Sequence, residues 1–569
     1  MQRCEILGAG QRTSCLAALR RESLKGKAKM RVFIGDESIV LERHSVRSLA
    51  DAVFGGMPGP LCGGLRHCGN CRVRFLSSAP EPCPEDRLFF SEEDLRSGWR
   101  LACRVFPDHP VFDSDIALEA PRGRNRGDGR NPFPGWGGTG SGKGRGRHRG
   151  ILCVDIGTTT IEWAVPETGH AGAFLNPQSG WGSDVMSRLA FAMRSEEARG
   201  ALCRAVRQEI CRIVRTLRTD SVDVMGIAAA GNPAMTAFFL DADISGLCAA
   251  PYRLDDHGGR VVLVDLNGKE ARSAEHPAAS FPGDAAAGVP SLEAMPVAVP
   301  PQYAPFVGSD VSAGLALLAE ERGTFVFCDM GTNGEFVYFD GERYHCASVP
   351  LGPALEGAGM SCGGPALPGA IRDFALSPAG LEFVRVGDGS LLASPELPGN
   401  GTICGSGYVA LADCLVRCGV LRKNGSFDRA PSSPLGKRIA RGLESVGGET
   451  VFLVQDRTYF SASDVEALLY VKAAFAAAVQ CLAGGNAGNL FVGGSLGMHV
   501  RARCLENLGF VAPGTSGRTH FLGNACLKGL ERLCGAPELW ARLAALSPAP
   551  ADMASSEHFK NVFTDEMHF

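Results

Sequence analysis

Ile151-Leu-Cys-Val-Asp-Ile-Gly-Thr-Thr-Thr160 and Thr324-Phe-Val-Phe-Cys-Asp-Met-Gly-Thr-Asn-Gly-Glu335 set out one pattern twice: an apolar run, an aspartate, one apolar residue, then Gly-Thr. Each turn leads into a second apolar stretch, Ile161-Glu-Trp-Ala-Val165 and Phe336-Val-Tyr-Phe339, so both copies read as strand, turn and antiparallel strand. Such a turn can wrap a phosphate with backbone N–H groups and threonine hydroxyls. Gly157, Thr158 and Thr159 in the first copy, and Gly331, Thr332 and Asn333 in the second, are the candidate phosphate ligands. Asp155 and Asp329 close the two strands, where capping the strand end is the plain alternative to a catalytic role. The sequence between the copies does not repeat, so the duplication expected is one of structure.

Outward from these turns lie three more transitions from apolar strand to small-residue loop. Ala228-Ala-Ala-Gly-Asn-Pro-Ala-Met235 follows Val222 to Ile227 and leads to a helix expected near 233–240. Val307-Gly-Ser-Asp-Val311 leads to a helix expected over 311–321, and Asn489-Leu-Phe-Val-Gly-Gly-Ser495 ends in Gly493 and Gly494, which could admit an adenine or ribose. Any one of these glycines fits a structural turn equally well; their order around two Asp-x-Gly-Thr turns is what points to a nucleotide. Gly140-Ser-Gly-Lys143 lacks the preceding glycine loop, strand and helix of a P-loop and reads as flexible sequence.

Before the first turn, Cys62, Cys68, Cys71 and Cys103 give C-x5-C-x2-C-x31-C, the arrangement expected of a ferredoxin-like [2Fe–2S] site. Gly63, Gly64 and Gly69 would let the backbone approach inorganic sulfur. Four thiolates leave no open position on iron, which favours electron transfer over substrate binding. A four-thiolate zinc site and plain buried cysteines remain the alternatives. Cys83, between two prolines, falls outside the pattern. A hairpin over 30–42, a short helix from 46–54, the cysteine loop and strands at Cys71–Phe75 and Leu101–Val105 make a small domain over 30–118.

The chain has 569 residues and a formal charge of −4, enough length for several domains with large cores. Residues 1–29 are a basic leader or overextended start without the apolar stretch of a secretory signal. Residues 119–150 carry Gly and Lys or Arg in place of core residues and read as a flexible linker, leaving 151–569 for the duplicated region. With the basic residues 1–31 and 121–150 set apart, the remainder is strongly acidic and would repel nucleic acid. Polar residues interrupt the apolar candidates near 306–319 and 465–483, so no membrane span is expected. Twenty-one cysteines, an odd number in apolar contexts, suit a reducing, cytoplasmic compartment.

Taken in order, Leu61-Cys-Gly-Gly-Leu-Arg-His-Cys-Gly-Asn-Cys71, Asn176-Pro-Gln178, Gly182-Ser-Asp-Val-Met-Ser-Arg188, Gly231-Asn232, Phe306-Val-Gly-Ser-Asp310, Asp329 to Glu335, Gly352-Pro-Ala-Leu-Glu-Gly357, Ile403-Cys-Gly-Ser-Gly407 and Gly523-Asn524 form one set. With them the chain resembles, from about residue 30 to its end, the reductive activators of corrinoid proteins. The resemblance implies a multidomain α/β and α+β architecture: a β-grasp ferredoxin-like domain followed by a duplicated actin-like ATPase fold of the acetate kinase, sugar kinase, Hsp70 and actin superfamily. It further implies an enzyme using a [2Fe–2S] cluster, ATP and Mg2+ to return a partner corrinoid protein from Co(II) to Co(I). The partners are that protein, an upstream low-potential electron donor and, as a candidate, a second copy of the chain. Docking is expected near Gly231, Asn232, Asp310 or the Glu356 segment. A metabolite kinase with an iron–sulfur domain and an ATP-dependent scaffold or chaperone are the competing functions. Ser309, where many relatives have alanine, and Ser361-Cys-Gly-Gly364 depart from the family pattern.

Overall fold

The computed structural model describes residues 147–569 with breaks, chiefly at 269–272, 276–288, 387–400 and 495–499. Before residue 147 it describes short stretches only. There, β1 (Lys29–Ile34), β2 (Glu37–Glu42), β3 (Arg72–Phe75), β4 (Trp99–Leu101) and β5 (Ile116–Glu119) form a sheet in the order β2-β1-β5-β3-β4. β1 and β2 are the expected antiparallel hairpin, and β5 returns parallel to β1 and antiparallel to β3. The strand expected over Leu101–Val105 ends instead at Leu101. Arg100, buried within it, donates to the carbonyls of Pro80, Leu95 and Trp99 and pins the strand where it is. The four candidate cluster cysteines and residues 121–146 lie outside the described residues, as does nearly all of the expected helix at 46–54.

The first lobe is built on β6 (His148–Ile156), β7 (Thr160–Val165), β8 (His170–Leu175), β9 (Val222–Ala230), β10 (Arg260–Val264), β11 (Ser273–Glu275) and β12 (Met295–Val299), in the order β11-β10-β12-β9-β6-β7-β8. β6 starts within the stretch read as linker, because His148, Arg149 and Gly150 pair in parallel with Val222, Asp223 and Val224, and Arg147 meets Asp223 at 2.6 Å. Every residue of β9 is buried, as its continuous small and apolar run dictates for an interior parallel strand.

The second lobe carries β13 (Phe325–Met330), β14 (Asn333–Phe339), β15 (Tyr344–Pro350), a hairpin of β16 (Ile371–Ser377) with β17 (Gly380–Arg385), and a small sheet of β18 (Leu443–Val446), β19 (Glu449–Gln455) and β20 (Thr458–Ser461). With β21 (Asn489–Gly493), β22 (Thr519–Gly523) and β23 (Ala549–Pro550) its main sheet runs β22-β21-β13-β14-β15-β23. The duplication is visible in the pairing: β6 is antiparallel to β7 and parallel to β9, and β13 is antiparallel to β14 and parallel to β21. Both lobes thus follow one α/β plan, the structural duplication expected from the two turns.

Helices cover these sheets: α1 (Glu92–Arg96) by β4, α2 (Val185–Ala192), α3 (Glu196–Thr219), α4 (Pro233–Leu240), α5 (Ser309–Ala316), α6 (Gly405–Cys418), α7 (Ala462–Ala483), α8 (Ala525–Gly535) and α9 (Glu557–Asp565). α3 buries Leu202, Val206, Ile210, Ile213 and Leu217, the three- and four-residue spacing of one helix face. α5 starts at Ser309 rather than Val311, since Ser309 and Asp310 both direct their amides at the Gly231 carbonyl. α5 and α8 share a core with Phe325 and Phe327, and they touch so closely that a Cβ on Gly529 would lie 1.8 Å from the Ala313 carbonyl oxygen.

α7 is the one described helix long and apolar enough to cross a membrane by length and composition. Here Val471, Phe475 and Ala478 lie in the core of the second lobe, and Ser461 and Asp464 form a capping box at its start. Lys472, 1% exposed, gives its ammonium to Glu566 Oε2 at 2.5 Å and to the Glu566 carbonyl at 2.9 Å, locking α9 onto α7. Removing one partner of a buried pair strands the other charge, so Glu566→Ala is expected to destabilise this lobe by about 3 kcal/mol. Lys472→Met, which keeps the volume and leaves Glu566 near solvent, is expected to cost less. Melting curves of both variants check the order; the reverse order would show that packing and not charge holds α9.

Candidate functional site

Both aspartates sit in matching places. Asp155 lies opposite Glu162 on β7 and Ala230 on β9, while Asp329 lies opposite Glu335 on β14 and Gly493 on β21. Each therefore has a glutamate on its antiparallel side and a small residue, followed by Gly231 or Gly494, on its parallel side. Burial pushes the carboxyls of Asp155 and Glu335 well above the usual range, and neighbouring carboxylates add to the shift. Burial carries Asp329 to about 6, and burial together with Asp329 carries Asp310 to about 7. Acids held this close favour a counter-cation or shared protons. Asp155 finds one partner across the lobes: Asn524, which caps α8, donates its Nδ2 to Asp155 Oδ2 at 2.7 Å.

The first turn is held from behind. Asn176 Nδ2 donates to the Gly157 carbonyl at 2.8 Å, and Arg188 on α2 donates to the Thr158 carbonyl at 2.6 Å. Arg188 is fully buried, and that burial lowers its guanidinium to about 10. Asn232 Nδ2 donates to Thr158 Oγ1 at 3.1 Å. At Gly157 a Cβ would meet the Thr160 carbonyl oxygen at 2.5 Å, so only glycine lets this turn close. The front of the turns converges on one residue. Thr159 Oγ1 donates to Glu356 Oε2 at 2.6 Å and Thr332 Oγ1 donates to Glu356 Oε1 at 2.7 Å.

Gly493 and Gly494 pack beside Asp329; a Cβ on Gly494, whose φ is +89°, would strike the Met330 carbonyl oxygen at 2.4 Å. Asn333 opens β14, and the Gly331 amide donates to its carbonyl. Gly231 is buried, with Asn232 and Asp310 half-buried beside it, so these expected docking residues lie at the cleft floor. Ser309 is fully buried, and its hydroxyl bonds both the carbonyl and the amide of Gly231, a tie that an alanine could not make. Among the described residues no group of three or more His, Cys, Asp or Glu is placed to hold a metal ion by itself. Most of the described cysteines are buried.

Glu356, Asn524, Arg188, Glu162 and Glu335 were not among the candidate ligands. Glu356 and Asn524 stood inside recognisable motifs, but their partners lie 197 and 369 residues away, beyond any local spacing. The two glutamates could have been found, since each sits on the strand paired with its aspartate.

Two family models match the chain: the RACo middle region over residues 151–266 and the C-terminal domain of RACo, the ASKHA domain, over residues 323–569. The chain is RACo-like in both regions. The first match spans the Asp155 turn and Arg188, and the second spans the Asp329 turn, Glu356 and Asn524. Among curated proteins, the chain is 26% identical over 300 residues to the corrinoid activation enzyme RamQ of Eubacterium limosum, covering 51% of this chain and 46% of that one. It is 29% identical over 195 residues to the [Co(II) methylated amine-specific corrinoid protein] reductase of Methanosarcina barkeri, covering 34% of each. The matches thus span less than half the length of these relatives. A solved reductive activator for corrinoid, iron–sulfur protein shares the fold over 95% of this chain and 98% of its own, with a TM-score of 0.60 at 19% identity.

Proposed function

We propose that this chain is an ATP-dependent reductive activator of a corrinoid protein. The observation that carries the reading is the meeting of two Gly-Thr turns from opposite lobes in a RACo-like chain, with Thr159 and Thr332 aimed at one point. Gly157, Thr158, Thr159, Gly331, Thr332 and Asn333 clamp the phosphates of ATP, and Gly493 and Gly494 form the adenosine wall. Asp155 and Asp329 orient Mg2+ through ordered water. That suits a cation that dehydrates reluctantly, and a site where no carboxylate set among the described residues would hold it alone.

Cys62, Cys68, Cys71 and Cys103 hold a [2Fe–2S] cluster in a β-grasp ferredoxin-like domain. What supports this reading is the pairing of Arg72 with Leu101, residues that stand one and two positions along the sequence from Cys71 and Cys103. When bound, the cluster supplies the single electron that takes cobalt from Co(II) to Co(I). Each 59 mV of unfavourable potential costs about 1.4 kcal/mol for one electron, and the ATP-bound lobes offset that cost by changing the complex with the corrinoid protein. The site of action is the cytoplasm, with a low-potential donor upstream.

The test is an anaerobic spectral assay with the full chain, a reductant, Mg2+–ATP and corrinoid proteins from the same organism. Co(I) absorbance is expected with reductant and ATP together and to be at least tenfold slower when either is withheld. Cognate partners that stay Co(II) while iron–sulfur absorbance bleaches and ATP is bound would reject the assignment.

A further inference from the structure

Glu356 makes two bonds that a nucleotide would also need. Each threonine hydroxyl has one proton, and Thr159 and Thr332 both direct theirs at the Glu356 carboxylate. A phosphate oxygen at either hydroxyl is a second anion seeking the same proton, so the carboxylate and the phosphate exclude one another there. Glu356 belongs to the second lobe and Thr159 to the first, so the bridge also ties the lobes together. Arg188 attracts this carboxylate from the first lobe, while Glu335 repels it from the second.

The segment that carries Glu356 is tied at both ends to the second lobe. It starts at Gly352, φ +78°, where a side chain would meet nothing within 4 Å, and turns again at Gly357, φ +76°. At its start the amides of Leu351 and Gly352 donate to the Thr332 carbonyl. At its far end the Ser361 amide donates to Asp464 Oδ1 at 2.7 Å, within the capping box of α7. The Cys362 amide donates to the Tyr408 hydroxyl of α6 at 3.1 Å. The Ser361–Gly364 stretch that departs from the family pattern is thus the anchor connecting the Glu356 turn to two core helices.

We infer that Glu356 is a positioning residue that competes with ATP phosphate for the hydroxyls of Thr159 and Thr332, so that nucleotide binding frees the 352–364 segment from the first lobe. The inference rests on the nucleotide reading of the site. The two can fail separately, because binding by the wild type tests the site and the variants test the competition.

Mg2+–ATP binding to the full chain is to be measured by calorimetry for wild type, Glu356→Gln and Glu356→Ala. Loss of the competing anion is expected to tighten binding about tenfold in Glu356→Ala, the equivalent of about 1.4 kcal/mol, and less in Glu356→Gln, which keeps one acceptor. A structural or phosphate-holding role would instead leave affinity unchanged or weaken it. Hydrogen exchange of the wild type supplies a reading that needs no variant: amides within 352–364 are expected to exchange faster when ATP is added. Wild-type binding with unchanged or weaker affinity in both variants, or with slower exchange in this segment, overturns the inference. A wild type that binds no Mg2+–ATP overturns the nucleotide site along with it.

Discussion

Asp329→Asn is expected to slow ATP-dependent Co(I) formation at least about 100-fold, the scale of losing one preorganised charge at a reacting phosphate. The side chain closes β13 between Glu335 and Gly493, so an isosteric amide leaves the strand in place and removes only the charge. With its carboxyl at about 6, the wild type carries that charge above neutral pH and gives it up as the pH falls through 6. The deficit of the variant should therefore be greatest above pH 7 and shrink in acid. Single-turnover absorbance at saturating ATP, beside a melting curve to establish folding, measures the effect. A folded variant within threefold of wild type at pH 7.5 would remove Asp329 from the nucleotide chemistry.

Cys103→Ser is expected to abolish detectable Co(I) formation and to leave little iron and acid-labile sulfide, whereas Cys83→Ser keeps both. A serine hydroxyl is a far poorer ligand than a thiolate for an iron–sulfur centre, and Cys103 alone completes the four-cysteine pattern. At Cys83 the backbone has a structural role. Its amide donates to Asp86 Oδ2 at 2.9 Å, and Asp86 Oδ1 accepts the Leu101 amide at 2.8 Å. Serine keeps that backbone bond. Iron and sulfide analysis of anaerobically purified protein separates the two variants; stoichiometric zinc without sulfide in the wild type would show a structural metal site instead. Nucleotide binding should survive in Cys103→Ser, because its proposed ligands all lie beyond residue 150.

The sequence by itself determined the elements around the two turns. Local chemistry was enough: the apolar run before Asp155, the β-branched and aromatic run before Asp329, the Asn-Pro start of α4 and the Gly-Gly end of β21 each dictate their own strand, turn or helix end from adjacent residues. The duplication followed because the same local pattern stands twice. What chain position alone could not reveal was the meeting of residues from the two copies. Glu356 receives Thr159 and Thr332, Asn524 reaches Asp155, and Ser361 holds the cap of α7, through hydrogen bonds whose partners stand tens to hundreds of residues apart. Packing of α5 against α8 brings the lobes together, and only in that arrangement do six carboxylates share one low-dielectric cleft. Hydrogen bonds reach only a few ångströms, so their partners are set by how the two sheets are docked. That docking belongs to the tertiary structure, and it turned two separate turns into one site.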